Sequence, residues 1–443
     1  MAEQMKPSGI DWIKDIPSSW EINKVKYLAT EPGTLFLDGD WIESDVIEES
    51  GIRYLTTGNV GAGFYKEQGS GYISEKTFSE LHCLNVYPGD LMISRLNEPI
   101  GRSCIIPDTE SRYVVAVDNV VLRPNANYNK KFIMYGMNAD GYAEHANMIA
   151  RGATMSRISR SQLGQFWLAF PNIEEQQAIA DFLDKECAQI DSIAADLEKQ
   201  IDLLQQYKKS LITETVTKGL DKSVPMKDSG VEFFGKIPAH WKVSKTKYVA
   251  DISIGLVTTM TANYVDEDGV PLIRNSNIRT NHIDDNGMVY LSKEFAKANI
   301  GRALHKGDIV TVHTGDVGTS AIINETYHMS HGFATIISRL KTKTVNNQFL
   351  CWLYNSEIFK EMSIAYSTGD GRQNLNLYDF VDFYILIPTL KEQMEIVNWL
   401  NLKCTEIDNF IENKQQQLLL IQQHKKSLIY EYVTGKKRVK EVQ

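Results

Sequence analysis

Apolar positions follow two rhythms along this chain. After Pro171, glycine and proline disappear for more than 45 residues, and apolar side chains recur every seven positions at Leu183, Ile190, Leu197, Leu204 and Leu211. A companion row, Cys187, Ala194 and Ile201, lies four residues further on. The pattern returns at Leu400, Ile407, Ile421 and Leu428 with companions Cys404, Ile411 and Leu418, and Lys414 interrupts the row. A seam with a 3.5-residue period wants a partner helix, so each stretch predicts a coiled-coil helix roughly 60 Å long at about 1.5 Å per residue.

The rest of the chain reads differently. RYLTTGNV (51–60 region), DLMISRL, RYVVAVDNVVLRP and FWLAFP are short runs rich in β-branched and aromatic residues, bounded by Gly, Pro and Asn. They predict strands. PLIRNSNI, DIVTVHTG, FATIISRL and FYILIP are their later counterparts. Helices are predicted over 129–147 and 346–362, which makes each globular segment α+β.

These counterparts belong to a duplication. Residues 5–30 align without a gap to 226–251 with 11 of 26 positions identical, including Ile16 and Pro17 with Ile237 and Pro238, Trp20 with Trp241, and Tyr27 with Tyr248. Asn59 falls opposite Asn277, and GDLMISRLNEPIGRSCII (89–106) opposite GDIVTVHTGDVGTSAII (307–323). Residues 171–219 align to 388–436 with 20 of 49 identical, sharing a Glu-Gln pair and a KKSLI run. Four collinear blocks require an internal repeat. The segments are then a first globular domain (1–172), a helix (173–219), a second globular domain (220–389), a helix (390–436) and a basic tail (437–443). The first helix leaves domain one and must end near domain two, so the simplest pairing is antiparallel. It places a domain at each end of a rod, with an approximate two-fold axis across it.

Composition changes this picture in one respect. A formal charge of −9 argues against nucleic acid as a partner. However, residues 173–219 hold ten acids and five lysines, so −5 of the −9 lies in one helix and the remainder is near balance. Any nucleic-acid surface must be a local basic patch. No apolar run is long enough to span a membrane. The five cysteines form no CxxC pair, and free thiols in a reducing cytoplasm are expected. His328 and His331 lack the companions of a metal site, so no metal is expected.

Enzyme signatures are missing. No two prolines are adjacent, which rules out the Asn/Asp-Pro-Pro-aromatic motif typical of adenine amino-methyltransferases. Gly58 to Gly63 reads as a turn. Gly230 to Lys236 has P-loop spacing, but Ile237 and Pro238 follow where Ser or Thr should bind Mg²⁺. What remains is polar loops able to contact DNA. In the first copy these hold Thr57 and Asn59; Arg95, Asn97 and Arg102; and Arg151, Arg157 and Arg160. In the second they hold Arg274, Asn275, Asn277 and Arg279; His313 and Thr314; and Arg372, Gln373, Asn374 and Asn376. Arg, Asn and Gln can make bidentate contacts to base edges. The anchors around the loops repeat while the loops diverge, so two different things are read. Trp20 and Trp241 are expected to be structural anchors rather than stacking platforms.

The opening MKPSG-x5-IPSSW, repeated as MKDSG-x5-IPAHW, the GD-hydrophobic segments and the P-x3-EQ-x2-I-x3-L start of each helix resemble the specificity subunits of type I restriction-modification systems. The resemblance covers almost the whole chain. It implies two target recognition domains, each reading half of a split, asymmetric DNA site, and two spacer helices acting as a ruler. Two modification subunits would dock on the helices and bring S-adenosylmethionine. Restriction subunits would bring ATP- and Mg²⁺-dependent translocation and cleavage. The chain itself would be non-catalytic and cytoplasmic. A free-standing methyltransferase-nuclease and a protein-binding adaptor are the competing readings.

Overall fold

The structure is a computed structural model, and it describes residues 4–69, 71–96, 99–150, 156–258, 260–266, 268–369, 371 and 373–439. The chain forms two compact units, each built from pieces distant in sequence. Met1–Leu197 joins Gln416–Gln443 in the first unit, and Glu198–Gln415 forms the second. Each unit therefore contains one globular domain and a portion of both long helices, Ile173–Lys218 and Leu390–Val433.

In the first unit an antiparallel sheet takes the order Leu35–Asp38, Asn119–Arg123, Leu91–Ser94, Ser103–Ile105. A second sheet pairs Ile52–Leu55 in parallel with Tyr113–Val115. The second unit repeats both arrangements. Ala250–Ile254, Thr335–Leu340, Ile309–Val312 and Ser320–Ile322 form the four-stranded sheet, and Val270–Arg274 runs parallel to His331–Phe333. The predicted strands are thus present.

Each predicted globular helix is instead two. Lys130–Met137 is followed by Asp140–Ile149, and Asn347–Tyr354 by Glu357–Ala365. The break has one cause in both units. Asn138 turns its amide back onto the Met134 carbonyl (2.7 Å) and also bonds Ser103, and Asn355 does the same with Cys351 (2.8 Å) and Ser320. A side chain that competes for helix carbonyls ends the helix.

Both tryptophans are fully buried anchors, as expected. A helix end covers each. Gly219, at φ +74°, lies over Trp241, and Gly435, at φ +71°, lies over Pro17 and Trp20. Glycine is required because a left-handed helix terminus disfavours any Cβ. The neighbouring lysines complete the cap: Lys218 donates to the carbonyl of Phe234 (3.0 Å) and Lys436 to that of Ile13 (2.8 Å).

The helices pair antiparallel within each unit. In the first, Phe182 meets Tyr432 at a ring-centroid distance of 4.5 Å, and Asp191 accepts from Lys425 at 2.6 Å. In the second, Lys414 donates to Gln200, and Lys208 to Asp408 at 2.6 Å. Leu183, Ile190, Leu197, Leu400, Ile407 and Leu428 are buried, and Leu183, Ile190, Leu428 and Leu400 belong to the core clusters that hold the globular domains' aromatic residues. Leu204, Leu211 and Ile421 are half-buried, and Ile212 rather than Leu211 enters the core of the second unit. Lys414 is half-buried, and its bond to Gln200 across the seam gives this interruption of the apolar row a polar partner.

Candidate nucleic-acid interface

The repeated motifs turn out to be scaffold. In each Gly-Asp pair the aspartate is buried and caps its own turn, Asp90 through the Tyr87 amide and Asp308 through the His305 amide. Each also holds an arginine by two bonds, Arg123 (2.8 and 2.6 Å) and Arg339 (2.9 and 2.6 Å). A buried carboxylate with this many donors fixes a strand end rather than doing chemistry. In the Glu-Gln pair the glutamine is a buried clamp. Gln176 accepts from the Asn129 amide and donates to the Asn127 and Pro171 carbonyls, and Gln393 repeats this with Asn346, Thr344 and Pro388. The first lysine of each KKSLI run is the partner of the opposite helix, as Lys208–Asp408 and Lys425–Asp191 show.

Several predicted contact residues are also scaffold. Asn59 and Asn277 are 1% and 0% exposed. Their amides are consumed by loop carbonyls seven and nine residues on, Lys66 and Gln68 in one case, Asp284 and Asn286 in the other. In this fold both side-chain amides are spent on the loop itself. Arg102 donates to the carbonyls of Val60, Leu96, Pro99 and Thr57, and so ties two loops together. Arg95 is 7% exposed and lies against Asp38 (3.3 Å) and Asp118 (3.9 Å). Burial lowers its guanidinium pKa, while the two aspartates oppose that shift. These were expected to touch DNA. Polar residues flanking a turn are the ones that satisfy its buried backbone groups, and in this fold that is where these donors are used.

The grouping of the loops nevertheless has a counterpart in space. In the first unit Arg157 reaches Asp118 (2.7 Å) and Arg160 reaches Asp38 (3.4 Å). Three arginines thus meet two aspartates, a local excess of one positive charge. Arg157 is half-exposed and Arg160 partly so. Leu96 bridges to Arg157, and the Arg102 bond to the Thr57 carbonyl brings in the third loop. Asn97 and Arg151 lie outside the described residues. Asp38 and Asp118 were not singled out from the sequence, because no local pattern ties them to Arg95.

In the second unit the equivalent loops converge as well. The His313 amide donates to Asn275 (3.3 Å), the Thr314 hydroxyl to Asn374 (3.2 Å), and the Gly315 amide to the Gln373 carbonyl (3.0 Å). Asn376 begins the short helix Leu377–Phe380. Arg372 lies outside the described residues. Burial lowers the pKa of the His313 imidazole, which keeps it neutral at pH 7. An opening of about 390 Å³ lies between Asn275, Ser276, Arg279, Thr314 and Thr319. Arg279 is exposed and pairs with Asp284 (3.2 Å), whereas Arg274 is turned to the Gly287 carbonyl. The Gly230–Lys236 stretch is a hairpin loop between Met226–Asp228 and Lys236–Pro238, with a strand where a P-loop needs a helix.

The comparisons with known proteins meet this geometry. A family model described as the type I restriction modification DNA specificity domain matches twice, over residues 20–203 and 238–423. The chain belongs to this family. Among family members, the EcoBI specificity subunit of Escherichia coli is 26% identical over 275 residues, 61% of this chain and 58% of that protein. The match therefore spans under two thirds of that relative. The MjaIX specificity subunit of Methanocaldococcus jannaschii is 21% identical over 446 residues, 97% of this chain and 96% of that protein. A chain from a structure of type I restriction-modification complex assembly has a TM-score of 0.72 at 12% identity, covering 95% of this chain and 99% of its own. The HsdS subunit from Thermoanaerobacter tengcongensis has a TM-score of 0.53 at 12% identity, covering 95% and 98%. At that identity the likeness concerns the fold alone. No helix among the described residues is long and apolar enough to cross a membrane.

Proposed function

We propose that this family member is the DNA sequence-specificity subunit of a type I restriction-modification enzyme and is itself non-catalytic. Each globular domain reads one half of a split, asymmetric target. The long helices set the unread gap and dock two modification subunits, which bring S-adenosylmethionine and transfer methyl groups to adenine. Restriction subunits join through that complex and bring ATP and Mg²⁺. The assembly works in the cytoplasm.

One observation carries this reading. The two units agree side chain for side chain where they hold themselves together, at Asn59/Asn277, Asp90/Asp308, Asn138/Asn355 and Gln176/Gln393. They disagree where three loops converge, with Arg157 and Arg160 in one and Asn275, His313 and Asn374 in the other. An arginine-rich cluster suits guanine edges and phosphate, and an amide- and hydroxyl-rich one suits adenine edges. Two unlike readers on one scaffold match two unlike half-sites. The test is methylome sequencing of a host expressing the chain with its modification subunit. A single bipartite motif is expected; a continuous motif, or none, refutes the reading.

A further inference from the structure

A second surface is repeated in both units, and it lies outside the reader loops. In the first unit Lys24 sits opposite Trp167 on paired strands, its amino group 4.8 Å from the ring centre. Lys26 lies 4.7 Å from the Tyr27 ring. In the second unit Lys245 sits opposite Tyr384 in the same register, 5.4 Å from the ring, and Lys247 lies 5.6 Å from Tyr248. All four rings are exposed: Trp167 by 38%, Tyr27 by 49%, Tyr384 by 39% and Tyr248 by 65%. None of the four rings belongs to the core cluster of its unit.

Their place in the fold supplies the function. The Lys26 amide donates to the Gly164 carbonyl, at the end of the short helix that begins with Arg160. That helix carries Arg160 into the reader cluster, and Gly164, whose carbonyl the Lys26 amide meets, is about 6 Å further along it at about 1.5 Å per residue. The Lys247 amide donates to the Val381 carbonyl, just past the helix Leu377–Phe380, which starts at Asn376 of the reader loops. In each unit one short helix therefore links the reader loops to the lysine–aromatic strip. On duplex DNA successive phosphates of one strand are about 3.4 Å apart along the axis, so a duplex touching the loops presents phosphates at the strip.

Resting on the specificity-subunit reading, we propose that Lys24, Lys26 and Tyr27 with Trp167, and Lys245, Lys247 and Tyr248 with Tyr384, hold the sugar-phosphate backbone beside each half-site. Base contacts must differ between unlike half-sites, whereas backbone contacts carry no sequence and can stay the same. This explains why these positions repeat while the loops do not. The strips are not equal in strength. Lys245 (3.2 Å) and Lys247 (2.6 Å) share Asp382, which leaves one net positive charge. Lys24 is held by the neutral Gln165 at 2.7 Å. A phosphate must displace the Asp382 carboxylate in the second unit.

The test uses the full chain, a random-sequence 40-base-pair duplex as probe, and binding measured across a salt series. Each phosphate contact contributes about 0.9 to the slope of log K against log salt. K24A/K26A is expected to lower that slope by about 2 and K245A/K247A by about 1, because Asp382 offsets one of the second pair's charges, with D382N raising affinity. Thermal melts confirm folding, and K24Q/K26Q repeats the measurement with side chains of similar length. The methylated motif of the assembled complex stays the same. If the unaltered chain shows no salt-dependent binding, the DNA reading itself fails. If it binds and the lysine variants keep its slope, only the strip is overturned. Lost co-purification with the modification subunit at an unchanged slope reassigns the strip to protein docking.

Discussion

Replacing Gln393 with leucine tests whether the glutamine of the repeated Glu-Gln pair is a local clamp. The side chain is 0% exposed. Its oxygen accepts from the Asn346 amide at 2.7 Å, and its nitrogen donates to the carbonyls of Thr344 at 3.0 Å and Pro388 at 2.9 Å. Leucine fills a similar volume, so the cavity contribution is small. The Asn346 N–H is left buried without a partner, at a cost of about 2 kcal/mol, and each carbonyl loses a bond worth about 0.5–1 kcal/mol while keeping a second lone pair. The expected loss is about 3–4 kcal/mol, equivalent to about 100- to 700-fold in an opening equilibrium. Hydrogen exchange on the full chain reads this locally, because subglobal openings are resolved peptide by peptide. Q393L should speed exchange around residues 342–350 and spare 123–133, and Q176L should do the reverse. The reasoning is refuted if Q393L changes exchange by less than about fivefold, or if both regions respond equally to either variant.

Three further outcomes follow from the same geometry. Gly435→Val should lower the melting temperature, because its Cβ would lie 2.4 Å from the Pro17 ring at a φ of +71°; a loss of about 2–4 kcal/mol, seen as faster exchange at residues 13–20, is expected, and an unchanged melt contradicts the capping role. Glu392 accepts hydrogen bonds from His240, Thr389 and Trp241; burial alone would raise its pKa, but these bonds outweigh it and hold the carboxyl at about 2 against an ordinary 4.5. Its contribution is therefore fully present above pH 4.5 and lost as pH falls toward 2. Urea midpoints of the unaltered chain and E392Q should thus converge over that window, and a constant gap would disprove the assignment. Arg102→Ala should raise exchange at residues 56–60, since it strands the carbonyls of Val60 and Thr57, and a variant with lost DNA binding but unchanged exchange would restore Arg102 as a direct contact.

Heptads at Leu183 to Leu211 and Leu400 to Leu428, the duplicated blocks and the strand runs were legible in the sequence because each depends on local periodicity or on copied letters. The same local signals do not tell where a polar residue serves the backbone. Asn59 and Asn277 look like contact residues, yet their donors close the loops they stand in, and Arg102 donates both to its own loop at Leu96 and to a second loop at Val60. The helix breaks at Asn138 and Asn355 were hidden because each asparagine acts through a strand far away in sequence. Membership of the family, two α+β domains and two long helices were thus determined by the sequence alone. Only the tertiary structure decided that each unit borrows a portion of both helices, that Gly435 closes a core begun at Ile13, and that Arg95, Arg157 and Arg160 meet across Asp38 and Asp118. The physical reason is range. Periodicity reports which face of an element is buried, but partners chosen by packing and charge across hundreds of residues leave no trace in neighbouring letters.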